Sequence, residues 1–251
     1  MSKQPNRIHK KITAKDATPD QFAASSIIRF GRLKNYIQEK ILVDYFAVKG
    51  NLVMIEGLKN HLHTNLTYYK SKPKIKLLDV GPAIGAMSTL LVLQALDDFN
   101  LIDKTQVYLV DISANVIDHT QQCDFSFPDS VISPGLKGKI LKKLRESRAH
   151  VGSAEDMPWK DNEFDIIIAA FLFHHLHDTL KAPVAKEIHR VLSPTGALCI
   201  SDEWFKNYEK DYAKKHLNDP IPLAYESIIP YKKLIKLFPK LKVSFKHGTD
   251  A

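Results

Sequence analysis

Apolar positions follow two rhythms along the 251 residues of this chain. Phe22, Phe30, Leu33, Ile37, Ile41 and Tyr45 recur at helical spacing, an apolar stripe that must pack against something. Thr18-Pro19-Asp20-Gln21 supplies the start of that helix, with a threonine cap, proline at the first helical position and a glutamine reaching back. A second helical stretch is predicted over roughly Leu52 to Tyr69, after the Lys49-Gly50-Asn51 turn, and Ser71-Lys72-Pro73 marks its junction with a strand. From there the rhythm shortens. Apolar runs at Lys76 to Val80, Val107 to Asp111, Ile166 to Ala170 and Ala197 to Asp202, with a brief strand at Ala149 to Gly152, alternate with helical patterns. Runs that are apolar on both faces, separated by helices, imply a parallel sheet with right-handed crossovers. The expected fold class is therefore α/β, a doubly wound, mostly parallel sheet under an N-terminal helical cover.

The same pattern divides the chain. Residues 1–17 read as a loose tail, 18–72 as the helical cover and 73–251 as the α/β domain. An insertion is expected at about 124–147, rich in Pro, Gly, Ser and Lys and holding one short basic helix. Thirty residues separate Gly81 from Asp111, against roughly twenty in a compact strand–helix–strand unit; the polar connector Asp97 to Asp103 absorbs the excess. Ser193 to Gly196 reads as a turn ahead of the strand from Ala197. Beyond Asp202, helices are expected near Phe205 to Leu217 and Tyr231 to Phe238, then an alternating edge strand at Leu241 to His247.

Candidate chemistry concentrates where the first strand ends. Asp79-Val80-Gly81-Pro82-Ala83-Ile84-Gly85 is an acid and a glycine-bounded turn leading straight into a helix, where a nucleotide-like ligand can approach main chain. A dinucleotide fingerprint fails here, because Ala83 and Ala86 stand where its second and third glycines belong. A P-loop fails too, for want of the Gly-Lys-Ser/Thr ending. The sequel is informative: an acid at the end of the second run (Asp111), Gly152-Ser153-Ala154-Glu155, a buried run into Phe171-Leu172-Phe173-His174-His175, and a last run closing on Asp202. In that order, over roughly residues 74 to 204, these elements resemble the class I S-adenosylmethionine-dependent methyltransferases, most closely their small-molecule branch, whose fold is Rossmann-like.

The resemblance implies S-adenosyl-L-methionine as cofactor. It places Gly81, Pro82, Ala83 and Gly85 along the amino-acid tail, with Asp79 beneath them, and Asp111 on the ribose hydroxyls. It puts Ile112 on one adenine face and Ser153, Ala154 and Glu155, or Asp156, at the adenine edge. An acid usually precedes the position of Ala154 in the family, and Ser153 departs from that. Phe171 and Phe173 would shield a sulfonium with ring faces. Asp111 has a second, less favoured reading as a cap for a helix starting near Ser113, while Asp79 can also brace its loop and the phenylalanines can be core. His175 is the preferred base or substrate-orienting group, at the carboxyl end of the fourth strand. Adjacent histidines on a strand point to opposite faces, which argues against a metal cluster of His174, His175, His177 and Asp178. Asp202-Glu203-Trp204 is a second pocket candidate on the same edge. Family members usually close the sheet with one more antiparallel strand; here it is either missing or supplied by another part of the chain.

Composition changes the picture little. The net charge is +8 and the isoelectric point about 9.2, but the basic residues are dispersed, with one modest cluster from Lys137 to Arg148 and no interleaved aromatics. Cys123 and Cys199 offer neither a disulfide framework nor a metal spacing, and Cys199 is expected to pack as a small hydrophobe. Met1 to Asp20 has no apolar stretch, and Ile166 to Phe173 is too short to span a bilayer, so a cytoplasmic protein without membrane attachment is the default expectation. The expected function is methyl transfer to a small-molecule acceptor. The alternatives are an RNA methyltransferase using the basic insertion and a non-catalytic cofactor-binding scaffold.

Overall fold

A computed structural model describes residues 48–82, 86–122, 132–202, 231–239 and 241. Two helices come first, α1 (Val48–Thr64) and α2 (Leu66–Ser71). Then follow β1 (Ile75–Val80), α3 (Met87–Asp98), β2 (Thr105–Asp111), α4 (Ala114–Gln122), α5 (Pro134–Arg145) and β3 (Arg148–Val151). The chain continues through β4 (Phe164–Ala170), α6 (Asp178–Val191), β5 (Leu192–Ser201) and α7 (Tyr231–Lys236). The expected helices over residues 18–45 and 205–217 and the strand beginning at Leu241 fall outside the described residues, apart from Leu241 itself.

The five strands form one sheet in the order β3-β2-β1-β4-β5, and every described pairing is parallel. This is the doubly wound α/β architecture expected from the alternating runs. Side-chain alternation along the strands separates two cores. Ile75, Leu77, Val107, Leu109, Ile166, Ile168 and Cys199 face α1, α3, α4 and α5. Leu78, Val80, Tyr108, Val110, Phe164, Ile167 and Ala169 face α6 and Phe238. Helix α1 packs through Met54, Ile55, Leu58 and Leu62, a stripe at helical spacing. Helix α5 packs on the same side through Leu136, Ile140 and Leu144 and keeps its lysines outward. The expected connector is a tight helix end: Asn100 takes a left-handed conformation (φ +57°) and Leu101 N–H donates to Leu96 O at 2.8 Å. Cys199 is buried in β5 with its thiol pushed up to about 12 by desolvation, in keeping with a small hydrophobe.

One expectation on β5 needs correcting. Ser193 to Gly196 do not form a turn before the strand; they bulge within it, since Leu192 pairs with Phe164 and Ala197 with Ile166. The bulge makes room for the chain against β4: a Cβ on Gly196 would lie 2.9 Å from Asp165 O. Asp165 ties the amino end of the sheet to the helical cover. Its carboxylate is buried and accepts from the Lys72 ammonium, from Lys76 N–H at 2.9 Å and from the Tyr68 hydroxyl at 3.4 Å. Tyr69 Oη donates to the Asp165 carbonyl at 3.2 Å. Lys104 reinforces the junction by donating to the carbonyls of Tyr69, Lys70 and Lys72 at the end of α2.

Truncating Asp165 to alanine strands buried donors and releases the Lys72 pair, so a loss of about 3 kcal/mol is expected in urea unfolding. An unchanged midpoint would mean the junction contributes little to stability.

Candidate functional site

Backbone hydrogen bonds stitch the carboxyl ends of the strands into one rim. Gly81 N–H donates to Val110 O at 2.8 Å, Gly152 N–H to Asp111 O at 2.9 Å and Phe171 N–H to Ser201 O at 2.6 Å. The Gly81 turn, Asp111, the segment after Gly152 and the segment after Ala170 therefore share one edge, as the sequence order implied. The turn needs glycine at position 81, where φ is +72° and a Cβ would approach Leu172 Cδ1 to 3.0 Å. Pro82 is buried beside it. Ala83 and Gly85 lie outside the described residues. Ala86 re-enters in a left-handed conformation (φ 40°) and leads into α3.

Asp79 sits under this turn at 1% exposure and accepts from the Thr89 hydroxyl of α3. It braces the helix against the strand through the Thr89 side chain. Desolvation pushes its carboxyl up to about 7, opposed by the Thr89 hydrogen bond and assisted by the Asp111 charge. Asp111 is raised to about 6, again chiefly by desolvation, while the backbone N–H groups of Ser113 and Ile112 pull it back. Its Oδ1 accepts Ser113 N–H at 2.9 Å, closing a local turn. The helix cap anticipated for Asp111 belongs instead to Ser113, whose Oγ accepts Val116 N–H at 3.4 Å. Asp111 is left on the rim as a carboxylate near a strand tip.

Beside it, two aliphatic side chains stand in solvent: Ile112 at 40% and Val151 at 50% exposure, Val151 being the β3 partner of Asp111. Val151 went unremarked in the sequence because its exposure follows from the shortness of β3 at the sheet edge, which no local pattern encodes. Ser153 and Ala154 are half-buried, and Glu155 N–H lies 3.5 Å from Ser153 Oγ. The Glu155 and Asp156 side chains are exposed. Met157 is buried and Trp159 packs edge-on to Tyr108 and Phe164, so this turn plugs the core.

The two phenylalanines separate in role. Phe173 is fully buried against Phe238. Phe171 is half-buried on the rim in a left-handed conformation (φ 53°), costly for a residue with a bulky side chain. The histidines correct the sequence expectation: they do not lie on a strand pointing to opposite faces. Phe173–His175 is a 3₁₀ turn, and the two imidazole centroids are 3.9 Å apart at a 46° tilt. His174 Nδ1 lies 2.5 Å from Asp202 Oδ1, and both side chains are nearly buried. Asp202 thus reaches the site as a partner of His174, a pairing 28 residues apart that only the β4–β5 neighbourhood creates. His177 stands apart and caps α6, accepting Thr179 N–H at 3.3 Å. Among the described residues, no group of three or more His, Cys, Asp or Glu is arranged to hold a metal, and no helix is long and apolar enough to cross a membrane.

The chain is similar to several known proteins. Residues 78–200 match the family model described as a methyltransferase domain. An uncharacterized protein of Escherichia coli, YafE, is 31% identical over 96 residues, 38% of each chain. A ubiquinone/menaquinone biosynthesis C-methyltransferase of Rickettsia felis is 29% identical over 172 residues, covering 65% of this chain and 62% of that one. The matched stretch thus spans 38% and 62% of these relatives' own lengths. The crystal structure of YcgJ from Bacillus subtilis superposes with a TM-score of 0.45 at 19% identity, covering 72% of this chain and 66% of that one. Residues 78–200 are thus those of a methyltransferase domain, and the class I family that such a domain resembles implies S-adenosylmethionine as cofactor.

Both raised acids hold more protons folded than unfolded between their ordinary value of 3.8 and about 7 for Asp79 or about 6 for Asp111. Native stability therefore falls as pH rises through that window. Asp79→Asn keeps an acceptor for Thr89 and removes the buried charge, so its melting temperature should exceed wild type at pH 8, the gain vanishing near pH 4. A lower melting temperature at pH 8 would show that the charge is compensated.

Proposed function

We propose that this chain is an S-adenosyl-L-methionine-dependent methyltransferase acting on a small-molecule acceptor by in-line transfer. The carrying observation is the convergence on one rim of the Gly81 turn, the Asp111 carboxylate and the exposed Ile112. The rim fits the cofactor's parts. The turn at Gly81 and Pro82, where position 81 carries no side chain, lets an amino-acid tail approach main chain, with Ala83 and Gly85 the further candidates and Asp79 below to answer an ammonium. Asp111, whose desolvated carboxylate gains from hydroxyl donors, suits a ribose. Ile112 and Val151 offer apolar surface to an adenine, with Ser153, Ala154 and Glu155 along its edge. When bound, the cofactor supplies an electrophilic methyl group on a sulfonium, whose loss leaves a neutral thioether.

Phe171 follows the end of β4, at the edge where open α/β sheets take ligands, and its ring lies edge-on to His174. His175, stacked on His174, is the group that accepts a proton from the acceptor or orients it. Most of the acceleration in such a displacement comes from alignment, so the protein's task is to hold two reactants in line and exclude water. The name of the Rickettsia relative, a C-methyltransferase of ubiquinone/menaquinone biosynthesis, supports a small acceptor. The basic helix lends less to an RNA acceptor than its composition suggests. Lys139 pairs with Asp97 and Asp103, Lys142 lies 3.8 Å from Glu146, and Lys143 donates to the carbonyls of Asp103 and Thr105. Charge already paired within the fold is poorly available to phosphates.

Titration calorimetry with S-adenosyl-L-methionine should give saturable heat, and Asp111→Asn should weaken binding about 10- to 100-fold, the worth of hydrogen bonds to a charged acceptor. No binding at millimolar cofactor would refute the reading. Binding without label transfer into any metabolite, RNA or protein fraction of a cell extract would point to the scaffold instead.

A further inference from the structure

The role given to His175 leaves its neighbour unexplained. Burying an imidazole against a carboxylate carries a desolvation cost that an apolar residue at the same place would avoid. Yet the His174 and Asp202 side chains are only 4% and 6% exposed, with Nδ1 and Oδ1 2.5 Å apart. The carboxylate accepts a hydrogen bond from the Nδ1–H and so fixes both the tautomer and the plane of the His174 ring. Two aromatic groups bear on that ring: His175 at 3.9 Å between centroids, and Phe171 edge-on at 6.3 Å. The backbone is committed to the same end. Phe171 is held at φ 53° by its 2.6 Å bond to Ser201 O, one residue before Asp202, and His175 N–H closes the 3₁₀ turn on Leu172 O at 3.0 Å. Backbone strain and a buried polar pair in one short segment are what a preorganised site requires.

We propose that Asp202 and His174 are positioning residues for His175. Asp202 locks the His174 ring, and that ring is the platform holding the His175 imidazole toward the methyl acceptor. The inference rests on the reading of His175 as proton acceptor. It narrows the acceptor to one whose attacking atom bears a removable proton, such as a hydroxyl, an N–H or an acidified C–H, rather than a tertiary amine or a thioether. The proton passes from that atom to an imidazole nitrogen of His175, and the atom keeps the electron pair with which it takes the methyl group.

The test is made on the full chain with ¹⁵N-labelled histidine, the His175 imidazole signal being assigned through His175→Gln. In Asp202→Asn, nearly isosteric, and in His174→Ala, the His175 signal should shift and broaden while S-adenosyl-L-methionine affinity changes less than about threefold. His174→Phe, which restores a ring without the hydrogen bond, should restore it only in part. With labelled cofactor and a metabolite extract as acceptor pool, kcat should fall about tenfold or more at unchanged KM for the cofactor. An unchanged His175 signal in the folded Asp202→Asn and His174→Ala proteins would overturn the inference while leaving the methyltransferase reading intact. A wild type that fails to bind S-adenosyl-L-methionine, with His175 still answering to Asp202, would refute that reading but uphold the coupling.

Discussion

The chain leaves β1 toward one face of the sheet and β4 toward the other, and that divergence opens the crevice on which everything else depends. Helix α3 follows β1 onto the side of α1, α4 and α5, while α6 follows β4 onto the side of Phe238. Among the described residues, nothing in the backbone path between the two exits closes the carboxyl edge. Adjacent strands are nonetheless tied there by N–H groups at positions 81, 152 and 171. The rim is thereby tied in its own geometry.

The two ends of the sheet are used differently. At the amino end, charge is consumed by structure: Asp165, Glu163, Lys72, Lys76 and Lys104 bond one another or terminal carbonyls and fasten the helical cover. At the carboxyl end, acids are held at a cost. Asp79 and Asp111 are raised above their ordinary range by burial, and Phe171 is held in a disfavoured backbone region. Groups kept in unfavourable states by a surrounding scaffold mark places where a ligand can relieve them.

The strands, their parallel sense and the order of the main motifs were legible because each is written locally. Buried runs of both-face apolar residues announce parallel strands, and acids at their ends announce the rim. The histidines were misread because a strand was extended through them; the φ 53° residue at Phe171 turns the chain into a 3₁₀ helix instead. Ser193 to Gly196 carried the composition of a turn, and pairing with β4 drew them into the strand as a bulge. Such outcomes depend on neighbours distant in sequence, which override local preference.

By itself the sequence determined an alternating α/β chain with a glycine turn after its first strand and a carboxylate after its second, since periodicity and turn chemistry act over a few residues. Tertiary structure alone decided that Ser113 rather than Asp111 caps α4, that Val151 is exposed, and that Asp202 meets His174. Those facts follow from which strands lie side by side and where a strand runs out, and sheet neighbours are chosen by the packing of whole faces rather than by any short segment.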